Sequence, residues 1–193
     1  MTATFAPFGM RSSRSLGGGF NTEGQNRYRI TNGFNQNIGL GDPVALNTAG
    51  TLVPVSANAS IAVGVFAGCM YVDPTTFKPT WAKRFVAATS SANESYVTGF
   101  VIDDPRRNFV MQATASVSAG DVGYAFNVTT GSGSDTYWGI SSYALDAGSR
   151  TNLAPRTVQL IDILDQPDNV FADAYPIVEV RIMEHDYAFT SAS

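Results

Sequence analysis

The chain has 193 residues, 44% of them hydrophobic and 15% charged, and a formal net charge of −4 at pH 7. One domain of that length buries roughly 70% of its unfolded surface, enough for a core of its own, while a charged fraction below the roughly 25% of ordinary soluble domains leaves a surface suited to packing against partners. The acidic balance gives no bulk support to nucleic-acid binding, the lone cysteine, Cys69, excludes an intrachain disulfide, and the longest charge-free stretch, Pro43 to Val72, is too interrupted by polar residues to span a bilayer.

No basic region precedes an apolar core at the N-terminus, so no signal peptide is expected, and synthesis in the cytosol is the default. Residues 1–26 read as an extended arm and residues 27–193 as a single β domain. In the arm, Phe5, Phe8 and Phe20 are spread among Pro7, Gly9, Ser12, Ser13 and the run Gly17-Gly18-Gly19. Three successive glycines lose much backbone entropy on ordering and favour neither helix nor strand. Three phenylalanines are nevertheless too many for an ordinary disordered tail. A segment that orders against a partner subunit reconciles the two; about 25 stretched residues reach on the order of 80 Å. Charge is segregated the same way: residues 1–29 hold Arg11, Arg14, Arg27 and Arg29 against Glu23, a net +3 that leaves −7 to the remainder. Removal of residues 2–24 is expected to leave a folded domain.

Further along, Tyr28, Ile30 and Phe34 flank Asn32-Gly33, a tight-turn signal. From Ile38 to Met70, three apolar runs are separated by turn residues. Val44 and Leu46 alternate with smaller neighbours, and Gly50 and Thr51 turn the chain. Val53 and Val55 follow with Pro54 between them, the mark of an edge strand because proline cannot donate to a central ladder. Ile61, Val63 and Val65 are expected on one face, Ala62, Gly64 and Phe66 on the other. Trp81-Ala82-Lys83-Arg84-Phe85 reads as a strand with a wet basic face; no RNA-binding signature surrounds it. Tyr96 to Ile102 and Phe109 to Ala115 are strands, and residues 127–138 form a polar, glycine-rich loop. Val158 to Leu164 reads as a strand buried on both faces. In the last strand Val178, Val180 and Ile182 face inward, while Glu179 and Arg181 face outward, close enough to pair. No long window has apolar residues at helical spacing, so the domain is expected to be all-β and mainly antiparallel.

Parts for catalysis are scarce. His185, the only histidine, lies between Glu184 and Asp186, and reads as structural rather than as a base. Cys69 sits in the apolar run Val65 to Met70 with nothing nearby in sequence to lower its pKa. Asp162, Asp165 and Asp168 recur every third residue, with Asp173 beyond, but lack the D-x-D-x-D-G spacing of a calcium loop. Gly17-Gly18-Gly19 fits neither phosphate-binding fingerprint, and neither G-x-S-x-G nor H-E-x-x-H occurs. No enzyme, cofactor or metal site is expected.

Several segments together resemble a family of tailed-bacteriophage capsid cement, or head decoration, proteins. They are Ala6-Pro7-Phe8-Gly9-Met10-Arg11; Gly41-Asp42-Pro43-Val44-Ala45-Leu46-Asn47-Thr48; Val63-Gly64-Val65-Phe66-Ala67-Gly68; and Gln166 to Tyr175 continuing through Val178-Glu179-Val180-Arg181-Ile182 to Glu184-His185. The resemblance implies a compact β-barrel or β-tulip-like domain and a virion protein on the outer surface of the capsid. It implies homotrimers at three-fold and quasi-three-fold sites that clamp adjacent copies of the major capsid protein, without nucleic acid or membrane. The arm residues Phe5, Pro7, Phe8, Arg11, Arg14 and Phe20, with Arg27, are the expected interface, phenylalanines filling grooves and arginines bonding acidic loops. The alternative is a glycan- or receptor-binding module of a phage fibre or tail, with Tyr137 and Trp138 stacking on sugars.

Overall fold

The computed structural model describes residues 4–15, 24–57, 61–129, 138–152, 155–164 and 166–187. Their regular structure is thirteen strands and two short 3-10 turns, Ala119–Asp121 and Ala147–Ser149: β1 Arg11–Ser15, β2 Asn26–Thr31, β3 Pro43–Leu46, β4 Leu52–Pro54, β5 Ile61–Ala62, β6 Gly64–Val72, β7 Pro79–Ala82, β8 Tyr96–Ile102, β9 Arg107–Gln112, β10 Ala125–Phe126, β11 Val158–Ile163, β12 Ile177–Ile182 and β13 Glu184–His185. The fold is all-β and almost entirely antiparallel. A five-stranded sheet runs β1-β9-β12-β11-β10, and a six-stranded sheet runs β2-β8-β6-β3-β4 with β7 also on β6. β13 pairs with β5 in a short parallel seam.

The expected barrel is not closed. The six-stranded sheet curls until its ends meet at one bridge, Arg29 with Thr51, where the Thr31 and Thr51 hydroxyls are 3.2 Å apart. No ladder follows that contact among the described residues. Proline explains part of this, since Pro54 ends the short edge strand β4 and cannot donate. β6 is the spine of this sheet. Its first residues pair with β3, its last four with β7, and β8 runs along its other edge past a bulge between Phe66 and Gly68.

Two apolar clusters result. Phe109, Met111, Val158, Leu160, Val178 and Val180 lie in one, against the five-stranded sheet. Ile30, Leu52, Phe66, Phe85, Val97 and Val101 lie in the other, inside the curl of the six-stranded sheet. Val65 and Ile102 belong to the first cluster and Phe66 and Val101 to the second, so β6 and β8 contribute to both cores.

The structure departs from three expectations. Val63 packs with Phe66, not with Val65, because the alternation breaks at Gly64. There φ is +156°, and an added Cβ would fall 2.3 Å from the Ile102 carbonyl oxygen. β11 buries one face only: Val158 and Leu160 are in the core, whereas Ile161 and Ile163 are half-buried beyond a bulge between Leu160 and Asp162. Third, residues 4–15 are not held apart from the domain. β1 forms the edge of the five-stranded sheet, antiparallel to β9, with Arg11 opposite Val110 and Ser12 opposite Phe109. Leu160→Ala is therefore expected to cost about 2–5 kcal/mol by urea denaturation, and Ile161→Ala clearly less; equal losses would mean that β11 is buried on both sides.

Candidate functional site

The N-terminal segment reaches the domain in three steps. Gln112, on β9, donates from Nε2 to the Thr4 carbonyl at 3.0 Å and accepts the Ala6 N–H on Oε1 at 2.8 Å. The Phe5 ring tilts against Tyr175 with centroids 5.3 Å apart. Next, the Gly9 N–H donates to the Tyr143 carbonyl at 3.2 Å and the Met10 N–H to the Gly41 carbonyl at 2.9 Å. Only glycine fits at position 9, since φ is +73° and a Cβ would lie 2.2 Å from Ser141 Cβ. Met10 then enters the first core and is 1% exposed. Finally β1 zips onto β9 and brings Arg14 to Glu179. Arg14 Nε donates to Oε1 at 2.9 Å and Nη2 to Oε2 at 2.6 Å, with the Ser13 hydroxyl 3.2 Å from Oε1.

Strand alternation places Glu179 outward, beside Arg181. It is buried instead, and Arg181 donates to Gln159 Oε1 at 2.9 Å. Residues i and i+2 of a strand share a face but do not meet as cross-strand neighbours do, and the docked segment supplies the nearer cation. Burial works to raise the Glu179 carboxyl, but hydrogen bonds from Arg14 and Ser13, the nearby Asn108 amide and the Arg14 charge outweigh it and hold the pKa below the ordinary glutamate value.

The six expected interface residues among the described ones fall into four groups. Arg14 is spent inside the molecule on Glu179. Phe5 and Pro7 lie on the segment as it crosses the domain, Phe5 exposed and Pro7 half-buried. Phe8 and Arg11 come together: the Arg11 guanidinium stands 4.7 Å from the centre of the Phe8 ring, and both line a groove of about 290 Å³ with Leu40, Ala67, Ile102 and Ile140. Phe20 lies outside the described residues. Arg27 is on β2, exposed, opposite Phe100 of β8.

The six-stranded sheet also has an outward face that the sequence reading did not assemble. Antiparallel partners share a face, so the register sets Arg27 beside Phe100, Arg29 beside Thr98, Thr98 beside Met70, and Met70 beside Trp81. Arg29 also stacks over Tyr96 at 4.8 Å. Trp81 is 61% exposed and Met70 38%. Gly68 makes room for the indole, for a Cβ there would be 2.9 Å from the Trp81 ring. Of the basic pair after Trp81, Lys83 is exposed, whereas the Arg84 side chain lies against Gly139. The missing signal was register: Met70 and Trp81 become neighbours only when β7 folds back on β6.

Two buried titratable groups flank these surfaces. Asp42 follows Gly41, and its Oδ2 accepts the Gly39 N–H at 2.7 Å. Burial lifts its carboxyl to about 6 despite hydrogen bonds from Ser141 and Gly39. His185 is buried in the β5–β13 seam, and its Nδ1 accepts the Tyr187 N–H at 3.1 Å. Burial lowers its pKa against the opposing charges of Asp103, Asp186 and Asp104. Asp103 in turn accepts from the Tyr28 hydroxyl at 2.6 Å and from Asn26 Nδ2 at 2.9 Å. A substrate would have to open the seam to reach the imidazole. Among the described residues no group of three or more His, Cys, Asp and Glu side chains is placed to hold a metal ion, and no helix is long and apolar enough to cross a membrane. No protein-family model, curated protein or solved structure matches the chain.

The two carboxylates titrate with opposite sign. Glu179, with a lowered folded pKa, stabilises the fold above about pH 4.5 and loses that contribution as pH falls further. Glu179→Gln is expected to cost about 1–3 kcal/mol at pH 7, a gap that closes on acidification below pH 4 in urea titrations. Asp42, with a raised folded pKa, is least costly when protonated, so its effect on stability improves as pH falls from about 6 to about 4. Relative to Asp42→Asn, the wild type should gain on the order of 2–3 kcal/mol between pH 7 and pH 4. The comparison cancels His185, whose lowered pKa acts in the opposite direction. A constant difference between the two proteins across that range would contradict the buried carboxylate.

Proposed function

We propose that the protein is a phage capsid cement protein, made in the host cytoplasm and bound to the outer surface of the shell, where homotrimers at three-fold and quasi-three-fold sites join adjacent major capsid subunits. The observation that carries this reading is the outward face of the six-stranded sheet, with Met70 and Trp81 side by side and Arg27 and Arg29 on the same face. Aromatic residues, methionine and arginine are the types enriched in protein–protein interfaces. The segments that carry the family resemblance support it differently. Gly9 packs closely on Gly41, the Met10 N–H donates to the Gly41 carbonyl and the Gly41 N–H to the Phe66 carbonyl, so these motifs hold the N-terminal segment against the domain. In this reading the segment shapes the contact surface instead of reaching across a neighbour.

Removing residues 2–24 does not test this reading cleanly, because it also strips Met10 from the core and β1 from its sheet. Point variants of exposed residues do. Full-length protein is expected to co-sediment with purified expanded shells at a stoichiometry comparable to the major capsid protein. Trp81→Ala should weaken binding roughly 30-fold, the loss of an anchor worth about 2 kcal/mol, while keeping the β-sheet circular dichroism spectrum. Absence of wild-type binding to shells would overturn the reading. Exposed Trp138 supports the alternative, a glycan- or receptor-binding module, and specific signal on a glycan array that Trp138→Ala abolishes would favour it.

A further inference from the structure

The groove beside the docked segment has one charged lining side chain among the described residues, Arg11. Its guanidinium rests on the Phe8 ring at 4.7 Å and makes no ion pair among the described residues. The rest of the lining includes Leu40, Ala67, Ile102 and Ile140. At about 290 Å³ the groove lies at the lower edge of the ~300–1,000 Å³ range of ligand sites. That is room for a large side chain or two and too little for a cofactor. The backbone around it is already tied down: Gly41 N–H to the Phe66 carbonyl, Phe66 N–H to the Asp42 carbonyl and Met10 N–H to the Gly41 carbonyl are each 2.9 Å. The ordering cost of binding therefore falls on the incoming segment.

We propose that this groove binds an apolar side chain of an acidic partner segment, and that Arg11 pairs with a carboxylate next to that side chain. Charge complementarity selects the occupant. A guanidinium placed over an aromatic ring still has N–H donors to offer a planar carboxylate. A basic segment would be repelled, and a nucleic acid would need several cations along its phosphates where the groove has one. The inference deepens the cement reading, on which it rests for the partner being a shell protein, and gives that partner's segment its chemistry.

The test uses uniformly 15N-labelled full-length protein, amide NMR and three capped peptides. Each peptide has a phenylalanine–leucine pair flanked by aspartates, by asparagines or by lysines. The aspartate peptide is expected to shift the Gly41, Ala67 and Ile140 amides and to saturate in the millimolar range. The asparagine peptide should bind about fivefold more weakly, the upper end for an exposed ion pair, and the lysine peptide more weakly still. Arg11→Ala should bring the aspartate peptide down to the asparagine level, and Leu40→Ser should weaken both; the two replaced side chains are exposed, so the fold is retained. Shifts elsewhere, equal binding of the lysine peptide or indifference to Arg11→Ala would overturn the proposal. So would concentration-dependent shifts of the same amides without peptide, which would make a second copy the occupant. The same variants on shells separate the two readings. Wild-type binding that both variants retain in full removes the groove and leaves the cement function standing. Selective peptide binding by a protein that ignores shells removes the cement function and leaves the groove.

Discussion

A carbon atom added to Gly9 would sit 2.2 Å from Ser141 Cβ and 2.6 Å from the Gly41 carbonyl oxygen, so the N-terminal segment and the Gly41 turn are seated by direct backbone contact. That approach sets the register of everything attached to it. With Gly9 in place, the Met10 N–H reaches Gly41 and the Met10 side chain drops into the first core. Arg11 then starts the edge strand of the five-stranded sheet and Arg14 arrives at Glu179. Gly41 also donates to Phe66, on the spine strand of the other sheet. The segment therefore ties the two sheets together through one turn. Gly41 itself adopts φ +91° with Met10 and Phe8 carbonyl oxygens within 3.2 Å of where a Cβ would be. At Gly9 a side chain would carry strain and a clash together, and at Gly41 it would carry strain and a tight contact.

The Arg14–Glu179 pair that closes this seating is asymmetric. The Arg14 side chain is largely in solvent, while the Glu179 side chain is buried. Without the arginine, a carboxylate stays under the segment with weaker compensation, which is the expensive way to break such a pair. Without the glutamate, a guanidinium returns to water at little cost. The arginine therefore acts chiefly by answering a charge that the sheet has already buried. This is why one of the four cations clustered near the N-terminus is neutralised by the fold although its side chain stays largely in solvent.

Strand positions were legible wherever alternation was clean. Tyr96 to Ile102 is β8 residue for residue, and Val178, Val180 and Ile182 point inward as their spacing requires. Pro54 ends an edge strand, as a residue without a donor should. Legibility failed where a local event shifted phase: Gly64 reverses the faces around Val63, and the bulge after Leu160 turns Ile161 away from the core. Neither event leaves a mark in hydrophobic period, because small or branched apolar residues stand on both sides of each. The docking of residues 4–15 was hidden for another reason. Its sequence is short in apolar alternation, with Pro7 and Gly9 among scattered apolar residues and then a run of serines and arginines, and its affinity comes from long-range contacts with Gln112, Tyr143 and Glu179 that no window around Gly9 contains.

Those distant contacts also join the candidate surfaces. The residues of β8 that face away from the second core run Tyr96, Thr98 and Phe100, ending at Ile102 where that face passes into the first core. At one end Tyr96 carries the Arg29 guanidinium, at the other Ile102 lines the groove with Phe8 and Arg11, and between them Phe100 lies opposite Arg27. Met70 and Trp81 extend the same face sideways through β6 and β7. Arg11 and Arg27, far from each other along an extended arm, thereby flank the same end of one strand because the segment folds back. A partner meeting this face would find a central aromatic–methionine patch and separate arginine positions at its margin, the arrangement in which buried anchors supply affinity and rim charges supply orientation. Each contact is modest alone; linked through a multimer, their effective concentration would let them hold.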